Sequence, residues 1–139
     1  MQKLGKQTIK FDTPPVITEV ASIVGPKEAN GPLAKYFDKC LEDEFWGEKT
    51  WEKSESKIIK ETVNAVISKS GIASSEIEYC FAGDLLNQCI SSSFGLRELN
   101  IPFLGIFGAC STFVEGLSLG AVFTESCAQN VICAASSHF

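Results

Sequence analysis

Cys110 sits in the stretch PFLGIFGACSTFVEG, where an apolar run meets Gly108-Ala109-Cys110-Ser111-Thr112 and a helix-like segment follows. A side chain at a strand-to-helix turn is thrust out at the carboxyl end of the sheet, where open α/β sheets bind ligands. Gly108 relieves crowding there, and the unpaired N–H groups and positive dipole end of the next helix would stabilise a thiolate. Cys110 is therefore a candidate nucleophile or polar ligand contact. The plain alternative is packing, because free cysteines are among the most buried residues and most are inert. Packing is the role expected of Cys40, Cys80, Cys89, Cys127 and Cys133.

Three further stretches, with four candidate residues, share the placement expected of a site. Gly83-Asp84-Leu85-Leu86-Asn87 follows a short apolar run, so Asp84 and Asn87 could reach a ligand or hold the Cys110 turn. Asp84 could equally cap the following segment. His138, in Ser136-Ser137-His138, follows another apolar run; it is either a site residue or a structural hydrogen-bonding group. Lys27, in Gly25-Pro26-Lys27-Glu28, either attracts an anion or is simply solvated. No metal site is expected, since His138 is the only histidine and the six cysteines are scattered with no CxxC spacing. Reduced thiols are expected in place of disulfides.

The elements that must hold these residues alternate. Residues 1–15 are polar and end in Pro14-Pro15, which stops regular structure. Residues 16–24 (VITEVASIV) read as a strand. Residues 33–46 carry apolar residues at Leu33, Phe37, Leu41 and Phe45, a spacing that predicts a helix ending at Gly47. Residues 50–70 predict a longer helix. Its apolar stripe includes Ile59 and Val63, its charged residues, Glu55 among them, fall elsewhere, and Gly71 ends it. Buried strands are expected at 77–82, 102–107 and 130–135, and helices at 91–100 and 113–128. Such alternation argues for an α/β fold, a mostly parallel sheet with helices on both faces.

The helix at 113–128 is apolar nearly all round, with only Glu115 and Glu125 charged, and so belongs inside a larger body covered on both sides. Gly116, Gly120 and Ala121 would let another backbone come close. Because the 139 residues also stop just after a buried strand, a second half is expected to be missing.

Composition narrows the function classes. At 45% hydrophobic, the chain has enough apolar residues for a packed core. Its formal net charge of -5 comes with no basic stripe, which argues against nucleic-acid binding. The lysine-bearing N-terminus lacks the apolar region of a signal peptide. No stretch reaches the ~20 apolar residues that a membrane span needs.

The segments GPKEANGPL, FAGDLLNQ, IPFLGIFGACST and AASSH, in that order and spacing, resemble the stage V sporulation protein AD family, thiolase-like proteins of endospore-forming bacteria. The likeness covers roughly residues 3–139. It implies a thiolase-like fold of two similar α/β halves with five-stranded sheets. Residues 1–139 would supply most of the N-terminal half and the C-terminal half would be absent.

The resemblance further implies a non-catalytic protein that binds dipicolinic acid (pyridine-2,6-dicarboxylate), alone or as its calcium chelate, for uptake into the developing spore. It implies no cofactor. Its partners would be other proteins of the same spore membrane transport complex, with pairing of two copies as in thiolases. Its place would be the forespore or spore, peripheral to the inner membrane. Cys110 would match the nucleophile position of thiolases and ketosynthases. Ser111 and Asn87 would donate hydrogen bonds to the dianion and Lys27 would steer it. The alternative is an acyltransferase or condensing enzyme with Cys110 as acyl nucleophile. The histidines and second cysteine of those enzymes lie in the other half, and His138 falls before that region.

Overall fold

A computed structural model describes residues 1–86 and 88–137; Asn87 and His138, both expected near the site, lie outside them. The centre is a three-stranded parallel sheet in the order β6-β5-β7, built from β5 (Tyr79–Asp84), β6 (Phe103–Gly105) and β7 (Val131–Ser136). Asp84 pairs with Ser136, and Ala82 lies between Gly105 and Ala134. The central strand β5 is buried along almost its whole length, which explains its unbroken apolar run. β6 is shorter than the apolar run at 102–107 and lies at an edge, with Leu104 and Gly105 exposed instead of buried.

Alternation along the strands sends Cys80, Ala82 and Asp84 to one face and Phe81 and Gly83 to the other. The first face is covered by α2 (Trp51–Ser70) and α3 (Ile90–Leu96). Ile59, Val63, Ile77, Cys80, Ala82, Leu96, Ile101 and Ile132 form the core there. Thr50 caps α2 by accepting from the Lys53 N–H at 3.4 Å, and Gly71 closes it in the left-handed region at φ 68°. The second face carries α4 (Thr112–Ser126). Gly116 and Gly120 face the sheet: a Cβ on Gly120 would come within 2.7 Å of Cys133 Sγ. Phe123 meets the Tyr79 and Phe81 rings edge-on, both at 4.9 Å. The outer side of α4 is exposed at Phe113, Val114 and Leu119, so in this chain the helix is covered on one side only. Its second charge, Glu125, accepts from the backbone N–H groups of Asp12 (3.0 Å) and Thr13 (3.3 Å). That anchors the N-terminal hairpin of β1 (Gln2–Leu4) and β2 (Thr8–Lys10), which forms within the polar first fifteen residues.

Two expectations fail. The strand at 16–24 is reduced to β3 (Ile23–Val24). The helix at 33–46 does not form: that stretch holds a single 3₁₀ turn at Ala34–Tyr36 and β4 (Lys39–Cys40), which pairs in parallel with β3. Local bonding decides this. Asp38 accepts from the Ser22 N–H at 2.8 Å, and Asp43 accepts from the Phe45 N–H at 2.8 Å, an Asx-type turn. Of the four spaced apolar residues only Leu41 is fully buried. β3 is followed by the single-turn α1 (Pro26–Ala29). Among the described residues no helix is long and apolar enough to cross a membrane.

Candidate functional site

The Cys110 turn is seated on the sheet by its neighbours. After β6, the Ile106 N–H donates to the Ala82 carbonyl at 2.9 Å, carrying the chain across the end of β5. Gly83 permits that crossing: a Cβ there would overlap the Ile106 carbonyl oxygen and press on Thr112 Cγ2 at 2.8 Å. The Gly108 N–H then donates to the buried Thr112 Oγ1 at 3.1 Å, and the Ser111 N–H closes a 3₁₀ turn onto the Gly108 carbonyl at 3.0 Å. Ala109 holds the left-handed region at φ 50°, a strained conformation for a non-glycine residue and one often found at functional turns. Cys110 emerges exposed from this turn, two residues before α4 begins. The Cys110 thiol is thus exposed in the turn that follows β6.

Ser111 is exposed but already engaged. Its hydroxyl donates to the Gly108 carbonyl at 2.7 Å and lies in hydrogen-bond contact with Glu115 Oε1. Glu115 thus occupies the first turn of α4, where a carboxylate complements the helix dipole. Any anion approaching Cys110 meets this carboxylate as well as the helix start.

The turn after β5 is built differently. Asp84 is 1% exposed and accepts through Oδ2 from both the Ser92 N–H (2.7 Å) and the Ser92 hydroxyl (2.6 Å). Ser92 is the third residue of α3, so Asp84 satisfies one of the helix's orphan donors. Gln88 and Cys89 both sit at positive φ, 54° and 69°. The Cys89 thiol donates to the Ile106 carbonyl at 3.1 Å, tying this turn to the one that bears Cys110.

The structure therefore brings Cys110, Ser111 and Asp84 to one sheet edge through Gly83. Lys27 is not among them. It is exposed on α1, which packs on β3 and β4, a pair not hydrogen-bonded to the sheet of Asp84. The cysteines divide: Cys80 is buried, Cys89 and Cys133 half-buried, and Cys40 and Cys127 exposed, which corrects the packing role expected of those two. All six thiols are free. Among the described residues no three His, Cys, Asp or Glu side chains gather as a metal set. An open groove of about 360 Å³ lies elsewhere, lined by Ile23, Lys39, Trp46 and Glu61 among others.

Sequence reasoning missed Gly83 as the seat of the turn, Cys89 as its tie, and Glu55. The last is 1% exposed on α2 and accepts from the Ser136 hydroxyl at 2.8 Å. Burial, foremost, pushes the Glu55 carboxyl up from its ordinary range. Against that, the Ser136 hydroxyl pulls it down; the Asp84 carboxylate adds to the rise, and the Ser91 hydroxyl opposes it. No local signal in the sequence marks this cluster, because Asp84 and Ser136 meet only through the register of β5 and β7.

The family described as stage V sporulation protein AD matches residues 5–139. The stage V sporulation protein AD of Bacillus subtilis (strain 168) is 36% identical over 139 residues, 99% of this chain and 41% of that protein. The chain thus spans about two fifths of the length of this curated relative.

Proposed function

The chain belongs to the stage V sporulation protein AD family, and on that premise we propose that it serves stage V of sporulation as a non-catalytic binding protein for dipicolinic acid, supporting uptake of that compound into the developing spore. The single observation that carries the binding reading is the exposed Cys110 turn at the carboxyl edge of a parallel sheet. Donors at such an edge, beside a helix start, suit a carboxylate. The thiolase-like architecture, with a second half completing the protein, belongs to the same proposal. So do pairing of two copies, work alongside other proteins of a spore membrane complex, and a position peripheral to the spore inner membrane.

Charge refines the ligand. Dipicolinate is a dianion, the chain carries a formal net charge of -5, and Glu115 stands at the turn. The calcium chelate has no net charge, so it escapes that repulsion and is the favoured form. The test is calorimetric titration of the full-length protein with dipicolinate, with and without calcium. The expected result is tighter binding with calcium and a gain for free dipicolinate in Glu115→Gln. Absence of heat at millimolar ligand in both conditions discards the proposal.

The exposure of Cys110 also favours a second reading, acyl transfer through that thiol. A thiol nucleophile needs a base, and the only histidine of the chain, His138, lies outside the described residues. Mass spectrometry after incubation with acyl-CoA thioesters separates the two: a stable acyl adduct on Cys110 selects the enzyme.

A further inference from the structure

Two buried side-chain oxygens lack any hydrogen-bond partner among the described residues, Glu55 Oε2 and Asp84 Oδ1. Both residues are 1% exposed. They stand on different elements, β5 and α2, which meet through Ser136. Asp84 ends β5 and is the register partner of Ser136 on β7, so both side chains leave the sheet on the face covered by α2 and α3. The Ser136 hydroxyl donates to Glu55 Oε1, which draws the Glu55 carboxyl down from α2 onto the same pair of strand ends. Asp84 Oδ2 is taken up by Ser92. Each carboxyl therefore has one bonded and one unbonded oxygen, and the other polar group close to the Glu55 carboxyl is the buried Ser91 hydroxyl.

Among the described residues no cationic side chain is bonded to either oxygen. α3 (ISSSFGL) carries no charge, and on β5 and β7 the only other titratable groups are tyrosine and thiols. Tyr79 faces α4. The Cys80 thiol is pushed up to about 12 by burial and by Cys133, whose own thiol donates to Gly116 on the α4 face. The lysines of α2 are spent or outside: Lys57 on the Trp46 carbonyl, Lys60 on Glu98, Lys69 on Asp38, and Lys53 exposed. Arg97 lies over the Phe94 ring. His138 lies outside the described residues.

We propose that Glu55 and Asp84 share one proton, carried on Glu55 Oε2 and received by Asp84 Oδ1, and that this acid pair latches α2 to the carboxyl end of the sheet. A single proton satisfies both idle oxygens, one as donor and one as acceptor, and removes one of two like charges that burial would otherwise oppose. The upward push on Glu55 agrees with this placement of the proton. The inference does not depend on the ligand proposed above. Its consequence has a definite sign. A carboxyl held up in the folded state binds its proton where the unfolded chain has released it. Stability is then full below the ordinary glutamate range of about 4.3 and falls as pH rises toward the folded value.

The experiment is infrared spectroscopy of the protein at pH 7, joined to thermal melts across pH. The wild type is expected to show the carbonyl band of a protonated carboxylic acid, and Glu55→Gln to lose it. The amide introduced by that substitution accepts from Ser136 and donates to Asp84 without a titrating proton. The variant's melting temperature is thus expected to match the wild type at acid pH and to exceed it by several degrees at pH 8. Should that variant fail to fold, Asp84→Asn removes the band by donating its amide to an ionised Glu55. Absence of a protonated-carboxyl band in the wild type overturns the proposal. So does a rise in wild-type melting temperature with millimolar calcium that Glu55→Gln abolishes, since a cation would then fill the gap.

Discussion

The turns that leave β5 and β6 depart from the same edge of the same sheet, and both contain non-glycine residues at positive φ. Their chemistry is opposite. After β5 the reactive group, the Asp84 carboxyl, is turned inward, bonded to Ser92 and sealed beneath α2 and α3. After β6 the reactive group, the Cys110 thiol, is turned outward. The carboxyl edge of a parallel sheet is where ligands tend to bind, but the edge alone does not decide which side chains meet them. What decides is the side of the strand from which the chain departs. Even-numbered residues of β5 enter the α2/α3 core, whereas the β6 turn crosses above β5 on the α4 side, where Cys110 is exposed.

The sharpest way to break this contrast is at Gly83, where the two turns touch. In Gly83→Ala the new Cβ would overlap the backbone carbonyl of Ile106, which cannot swing aside as a flexible side chain would. Overpacking of this kind costs about 3 kcal/mol. Urea unfolding is expected to show that loss, together with a faster reaction of Cys89, whose bond to Ile106 would be pulled apart. Unchanged stability would mean that the Cys110 turn is not seated on β5 at all.

A smaller effect is expected inside the first turn. Asp84→Ala removes the acceptor of two bonds and leaves the Ser92 N–H buried without a partner. A loss of about 2 kcal/mol follows. Asn at the same place retains an oxygen for Ser92, so Asp84→Asn is expected to lose clearly less. Equal losses in the two variants would show that charge, and not acceptance from Ser92, is what the position supplies. Chemical denaturation of both variants at one pH decides this.

How much of this contrast the sequence carried depends on range. α2 was legible because its signals are local: Thr50 at the start, Gly71 at the end and an apolar stripe between. The three parallel strands were legible as apolar runs followed by turn residues, and so was Cys110 at a strand-to-helix junction. Residues 33–46 misled because a repeat of four without its companion at three drifts about 40° per step around a helix, and side-chain bonds from Asp38 and Asp43 favoured a turn-rich path. Glu55 was illegible for a different reason. It stands among lysines and glutamates that line the solvated side of α2, and its partner Ser136 is 81 residues away. Nothing within one helix distinguishes a glutamate facing water from one facing a serine on a distant strand. The two charges of α4 were visible, but their work was not, since each serves a backbone turn outside the helix's apolar pattern.

The gentlest probe leaves the fold intact and compares the thiols directly. Cys110→Ser changes an exposed side chain and is expected to shift stability by less than about 0.5 kcal/mol. In the native protein near pH 8, a small maleimide should modify Cys40, Cys110 and Cys127, which are exposed, and spare Cys80. Burial, and secondarily Cys133, pushes the Cys80 thiol up to about 12, so it is neither accessible nor ionised under those conditions. Peptide mapping of the labelled sites reads the result. Protection of Cys110 on a par with Cys80 would mean that the second turn is as closed as the first, and the difference between the two would vanish. If added dipicolinate with calcium slows labelling of Cys110 and leaves Cys40 and Cys127 unaffected, ligand and thiol share that edge. The contrast would then be one between a turn that holds the sheet together and a turn that the sheet presents.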